Sequence, residues 1–192
     1  MVEALSQRFR ALHFLCALIA LPSVVFGHRL DEYLQATIVA IEPGNIRLQI
    51  NLTPGVAVAE RVLSRIDRDH DGLISTKEAA AYAESIKRDL TVRLDGRKLK
   101  LKLAESDFPP PAELRSGSGI IQLEYTATPG SFGTGRHSLA IENRHFLALS
   151  VYLVNAGLPK SSNIRVTRQK RSETQDTVEI EFTYQPAEAP KP

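Results

Sequence analysis

Asp67, Asp69 and Asp71 stand at alternate positions in the stretch Asp67-Arg68-Asp69-His70-Asp71-Gly72-Leu73-Ile74-Ser75-Thr76-Lys77-Glu78. With Glu78 they crowd four carboxylates into twelve residues, and such charges repel one another unless a cation lies among them. Counted from Asp67, side-chain oxygens fall at positions 1, 3, 5, 9 and 12, and the Leu73 carbonyl stands at 7. These are the positions from which a calcium loop draws its ligands, with a glycine at 6 for the sharp turn. Gly72 occupies 6, where a positive φ costs glycine little. Glu78 can offer both carboxylate oxygens, and Ser75 offers its hydroxyl or a held water. Ile74, at 8, is the apolar residue that would pack inward and support the loop. An all-oxygen donor set of this kind suits Ca²⁺. Mg²⁺ fits less well, because it demands a tighter octahedron and keeps its water. Ser75 and Glu78 also match a capping box, but a cap requires neither three alternating aspartates nor Gly72.

The twelve residues resemble the loop of the EF-hand family, and the likeness extends over the apolar spacing on both sides, residues 56–88. The resemblance implies a helix–loop–helix that binds Ca²⁺ through seven oxygens, with Asp67, Asp69, Asp71, Leu73, Ser75 and Glu78 as the metal ligands. EF-hands usually come in pairs, and the sequence carries no second loop: prolines follow Asp107, and Asp176 lacks acidic companions at the needed spacing. The flanking helices also lack the Met-rich groove of sensors that open for target peptides. A structural calcium clip is therefore expected rather than a signalling switch.

Other constellations are weaker. The best signal-peptide cut would leave His28 at the N-terminus, where its amino group and imidazole can chelate copper together, and His137 and His145 could add ligands. That alternative makes the chain an extracytoplasmic copper-binding protein or an oxidative enzyme. The segment 130–136 (GSFGTGR) is Gly-rich but lacks the strand-to-helix setting and Lys-Ser/Thr of a phosphate loop. No nucleophile elbow, zinc-protease motif or Cys–His pairing is present, so no enzyme class is expected. Lys98, Lys100 and Lys102 read as a solvated or protective sheet face. Arg165, Arg168, Lys170 and Arg171 read as a solvated hairpin tip, since Glu173 and Asp176 follow.

The elements that must hold the loop are legible from periodicity. Val58, Val62, Leu63 and Ile66 repeat at helical spacing, with Thr53-Pro54 as the expected N-cap and first-turn proline. Ala79, Tyr82, Ala83 and Ile86 repeat it from Thr76 to about Arg88. Around this pair lie strand patterns. Tyr33–Ile41 and Ile46–Leu52 flank the turn Glu42-Pro43-Gly44-Asn45. Leu90–Leu94 and Lys98–Leu103 flank Asp95-Gly96, a strong hairpin signal. Further strands are expected at Ile120–Thr126, Ser138–Ile141, Leu147–Val154, Ile164–Gln169 and Thr177–Tyr184, with Pro109-Pro110-Pro111 as a stiff connector. The fold class predicted is mainly β, an antiparallel β-sandwich over residues 28–185 with the helix–loop–helix inserted at 56–88.

Arg8 and Arg10 precede an apolar stretch from Ala11 to Phe26, which reads as a secretory signal over residues 1–27. The run is short for a membrane span of about 20 residues. The expected product is exported, periplasmic or extracellular, and crosses no membrane once the signal is cut. Cys16, the single cysteine of the 192 residues, lies in the signal, so a disulfide framework and a Cys-based zinc or iron–sulfur site are excluded. A net charge of +2 gives no reason to expect a nucleic-acid partner. The tail, residues 186–192, is Pro-rich and expected to be disordered. The segments 28–34 (HRLDEYL) and 150–155 (SVYLVN) loosely resemble the extracytoplasmic domains that precede membrane bundles in bacterial HupE/UreJ-type proteins. The expected role is interaction with, or structural support of, an envelope protein partner.

Overall fold

The computed structural model describes residues 31–186. The signal-like segment, His28 and residues 187–192 of the tail lie outside the described residues. Two hairpins form where turn chemistry places them. Strands β1 (Tyr33–Glu42) and β2 (Asn45–Pro54) pair antiparallel with Glu42 opposite Asn45, which leaves Pro43 and Gly44 as the turn. Strands β3 (Leu90–Leu94) and β4 (Arg97–Lys98) close around Asp95 and Gly96. Both turn residues take positive φ, 50° and 80°, the signature of the tight hairpin turn that asparagine, aspartate and glycine supply.

Between these hairpins lie helices α1 (Ala59–Ile66) and α2 (Thr76–Asp89). The chain continues through β5 (Lys102–Asp107), the short helix α3 (Pro111–Arg115), β6 (Ile121–Ala127), β7 (Gly135–Asn143), β8 (Ser150–Ala156), β9 (Ile164–Arg171) and β10 (Thr177–Tyr184). The strands make two five-stranded sheets, ordered β5-β6-β2-β1-β8 and β4-β3-β7-β10-β9. Period-two burial gives each sheet an apolar face. Ile46, Leu48, Ile50 and Leu52 of β2 are buried, as are Val178, Ile180 and Phe182 of β10. These residues join a single apolar cluster with Val62, Leu63, Ile66, Tyr82 and Ile86 from the helices. The described residues are thus mainly β, and the helix pair carries the chain from β2 in one sheet to β3 in the other.

Several expectations need correction. Thr53-Pro54 does not start a helix. Leu52 and Pro54 are buried on β2 and pair across to β1, so sheet packing holds the segment extended. Helix α1 begins instead behind Val58, without a side-chain cap. The expected strand Lys98–Leu103 is split, because the chain leaves one sheet after Lys98 and enters the other at Lys102. Its alternation survives in the crossing: Leu99 and Leu101 are buried while Lys98, Lys100 and Lys102 are exposed. The strand expected from Leu147 starts only at Ser150, after a turn in which Phe146 takes φ of 55°. The third proline of Pro109-Pro110-Pro111 opens α3, whose Leu114 is fully buried. Not all pairing is antiparallel either, since β8 joins β1 in parallel. Strand β8 reaches that edge from β7 in the other sheet, and no hairpin constrains its direction.

Candidate metal centre

Helix α1 ends at Asp67, whose N–H donates to the Leu63 carbonyl at 2.8 Å. Helix α2 begins behind Ser75 with a complete capping box: Glu78 N–H donates to Ser75 Oγ, and the Ser75 N–H returns to Glu78 Oε2. The residues between are tied by their own carboxylates. Gly72 N–H donates to Asp67 Oδ2 at 3.0 Å, Asp71 N–H to Asp69 Oδ1 at 3.2 Å, and Leu73 N–H to Asp71 Oδ1 at 2.8 Å. Two residues of the loop, His70 and Gly72, take left-handed φ of 59° and 82°. At Gly72 a side chain would have room, so the turn constrains this position through its backbone angle. Ile74 packs against the apolar cluster, as expected of loop position 8.

Carboxylate oxygens of Asp67, Asp69 and Asp71 lie within 4.8 Å of one another. Asp69 and Asp71 are exposed, whereas Asp67 is only 8% exposed. Its Oδ1 is sealed from solvent and accepts no hydrogen bond. Among the described residues one other buried side-chain atom is so placed, Arg47 Nε, and that one has Glu124 as a counter-charge 3.9 Å away. Burying an unpaired carboxylate oxygen among like charges is unfavourable, and a cation among the three aspartates is the partner that this chemistry asks for.

The remaining expected ligands are arranged differently. Glu78 is buried at the start of α2 and does not join the three-aspartate cluster. Its Oε2 accepts from Ser75 Oγ at 2.7 Å and from the Ser75 N–H at 3.0 Å, and its Oε1 accepts from the Arg68 N–H at 2.7 Å. The bonds from the Ser75 hydroxyl and amide, then that from Arg68, hold its carboxyl down at about 2. Glu78 is therefore ionised and points its charge at the same loop, with each oxygen already taking protein donors. Ser75 donates its hydroxyl to Glu78, and Leu73 is 64% exposed. Comparisons with protein families, curated proteins and solved structures return no match for this chain.

The histidines expected to add copper ligands are not brought together. His137 lies near the start of β7 and His145 beyond its end, and the six steps of strand from 137 to 143 alone extend about 20 Å. Each is committed to other partners. His137 Nδ1 faces Asp95 Oδ2 at 2.8 Å and Nε2 faces the Gly133 carbonyl at 2.6 Å. His145, 4% exposed, faces Asp89 Oδ2 at 2.7 Å and the Tyr82 hydroxyl at 3.1 Å. The Tyr82 hydroxyl in turn meets that of Tyr33 at 3.0 Å. Burial lowers the basicity of His145 and outweighs the opposing pull of Asp89. This chain of hydrogen bonds, from half-buried Asp89 to fully buried Tyr33, links the exit of α2 to β1. Sequence reasoning missed it, and nothing in the local pattern marks residues 56 and 63 positions apart as partners.

Proposed function

We propose that this chain is an exported calcium-binding protein in which a single EF-hand, residues 56–88, stabilises a β-sandwich that serves an interaction or structural role in the cell envelope. The observation that carries the reading is the sealed, unpartnered Oδ1 of Asp67 within the three-aspartate cluster. A helix–loop–helix with Asp67, Asp69 and Asp71 at positions 1, 3 and 5 and Gly72 in a left-handed turn supports it. Bound Ca²⁺ would supply the missing partner of Oδ1 and cancel the repulsion among the carboxylates. Asp67, Asp69 and Asp71 would hold it, with the Leu73 carbonyl, Ser75 and Glu78 completing the oxygen set. The signal-like sequence of residues 1–27 supports an exported location.

Isothermal titration with Ca²⁺ tests this reading. One site per chain is expected, at the weak end of the range for extracellular modules, about 10⁻⁴ to 10⁻³ M, because the hand is unpaired. The double substitution Asp67→Ala with Glu78→Ala should abolish the binding heat. Unchanged heat in that variant would overturn the assignment.

A further inference from the structure

A second charged site lies against the helix–loop–helix. Arg65 of α1, Arg68 of the loop and Arg88 at the end of α2 line a cavity of about 310 Å³ that His145 and Phe146 also border. The three guanidinium groups come from three different segments, and no ion pair engages any of them among the described residues. The Arg65 guanidinium sits 5.9 Å from the centre of the Phe146 ring, which helps to orient it. The one carboxylate in the wall, Asp89, is taken by the imidazole of His145 at 2.7 Å. The other nitrogen of that imidazole is occupied by Tyr82. The wall thus presents three positive charges against one negative charge that already has a partner. Guanidinium forks match the oxygens of carboxylates and phosphates. A carboxylate has only two oxygens, whereas a tetrahedral oxyanion can meet donors arriving from three directions.

We infer that this arginine-lined cavity binds a phosphate-class oxyanion, either a free inorganic anion or the phosphoryl head of a small organic molecule, and that calcium in the neighbouring loop strengthens the binding. The strengthening rests on the calcium reading above; the oxyanion site itself does not. Arg68 lies between Asp67 and Asp69, and its backbone N–H is held by Glu78. Without a cation, the four carboxylates of the loop repel an incoming anion. A divalent cation cancels half of that charge. By linkage, the oxyanion must then raise the affinity for Ca²⁺ by the same factor.

The test is calorimetric titration of the full chain with sulfate, phenyl phosphate and acetate at constant ionic strength, with and without saturating Ca²⁺. Sulfate and phenyl phosphate should bind once per chain, at least tenfold tighter than acetate, and about fivefold tighter with Ca²⁺ than without. A clear preference for phenyl phosphate over sulfate would support the organic source, and equal affinities the free anion. Arg65→Gln with Arg88→Gln alters exposed side chains and should weaken sulfate binding at least tenfold while leaving the Ca²⁺ titration in sulfate-free buffer intact. Arg88→Lys, which keeps the charge but loses the fork, should fall between. Absence of sulfate heat, undiminished sulfate binding in the double variant, or acetate binding as tight as sulfate would each overturn the site. If Ca²⁺ binds but leaves sulfate affinity unchanged, the coupling is overturned. If Ca²⁺ fails to bind while sulfate binding persists and is lost in the double variant, the oxyanion site stands and the calcium reading falls alone.

Discussion

Asp67 bears the most tension of any side chain in the loop. One of its oxygens is tied to the Gly72 N–H, and the other is buried without a donor. An unsatisfied buried polar group costs about 1–3 kcal/mol, a cost that the proposed cation would relieve. Asp67→Asn should therefore act in opposite directions under two conditions. It retains a carbonyl for Gly72 and removes a negative charge from the cluster, so stability in chelator should rise by about 1 kcal/mol. In Ca²⁺ the same variant should show no stabilisation by the ion. Thermal melts of both proteins in chelator and in Ca²⁺ check this; an Asn variant that is less stable in chelator would show that Oδ1 has a partner in solution.

At the scale of elements, the helix pair is held at both ends and along its inner face. Tyr125 donates to the Ala83 carbonyl at 2.8 Å, and Ile66 and Ile86 are fully buried. The loop between the helices has only its carboxylates and Ile74. A ligand that binds only the folded loop stabilises by RT ln(1 + [L]/Kd), about 1.4 kcal/mol at tenfold saturation. Calcium-dependent protection from hydrogen exchange should therefore concentrate between Val56 and Arg88, with Val178–Tyr184 unchanged. An equal change in β10 would mean that the ion holds the whole fold. A second element effect is independent of metal. His137 ties the Asp95-Gly96 turn and the Gly133 loop to β7. Burial opposes its charge, but hydrogen bonds to Asp95 and the Gly133 carbonyl win and raise its affinity for a proton above the ordinary 6.5. A raised folded value means that this stability is fully present below about pH 6.5 and is lost as pH climbs through the folded value. Urea midpoints should fall across that window in the parent, and His137→Gln should remove this part of the slope.

For the molecule as a whole, the two sheets are joined by a buried polar knot as well as by apolar contact. Gln35 of β1 donates to the His145 carbonyl at 2.8 Å and to Ser150 Oγ at 2.6 Å. Asn143 of β7 donates to Gln35 Oε1 and accepts from the His145 N–H, both at 2.9 Å. Tyr152 of β8 donates to the same His145 carbonyl at 2.8 Å. The knot fixes where the chain crosses from β7 to β8, and so where β8 lies beside β1. Asn143→Ala would leave the His145 N–H and Gln35 Oε1 without partners in a buried setting. A loss of about 2–4 kcal/mol in urea unfolding is expected. A loss below about 0.5 kcal/mol would show that the knot is hydrated and replaceable.

The sequence by itself determined what local chemistry can enforce. The tight turns at Pro43-Gly44 and Asp95-Gly96, the helical periods of α1 and α2, the capping box at Ser75 and Glu78, and the spacing of Asp67, Asp69 and Asp71 all depend on residues within a few positions of one another. Tertiary structure alone decided which sheet each strand joins, why Thr53-Pro54 extends β2 instead of starting a helix, and why β8 runs parallel to β1. It also decided that Asp67 is buried while Asp69 and Asp71 are exposed, and that Arg65, Arg68 and Arg88 line one cavity. Those outcomes follow from packing between segments tens to more than a hundred positions apart, and a local period of two or 3.6 carries no record of which distant surface will cover a given face.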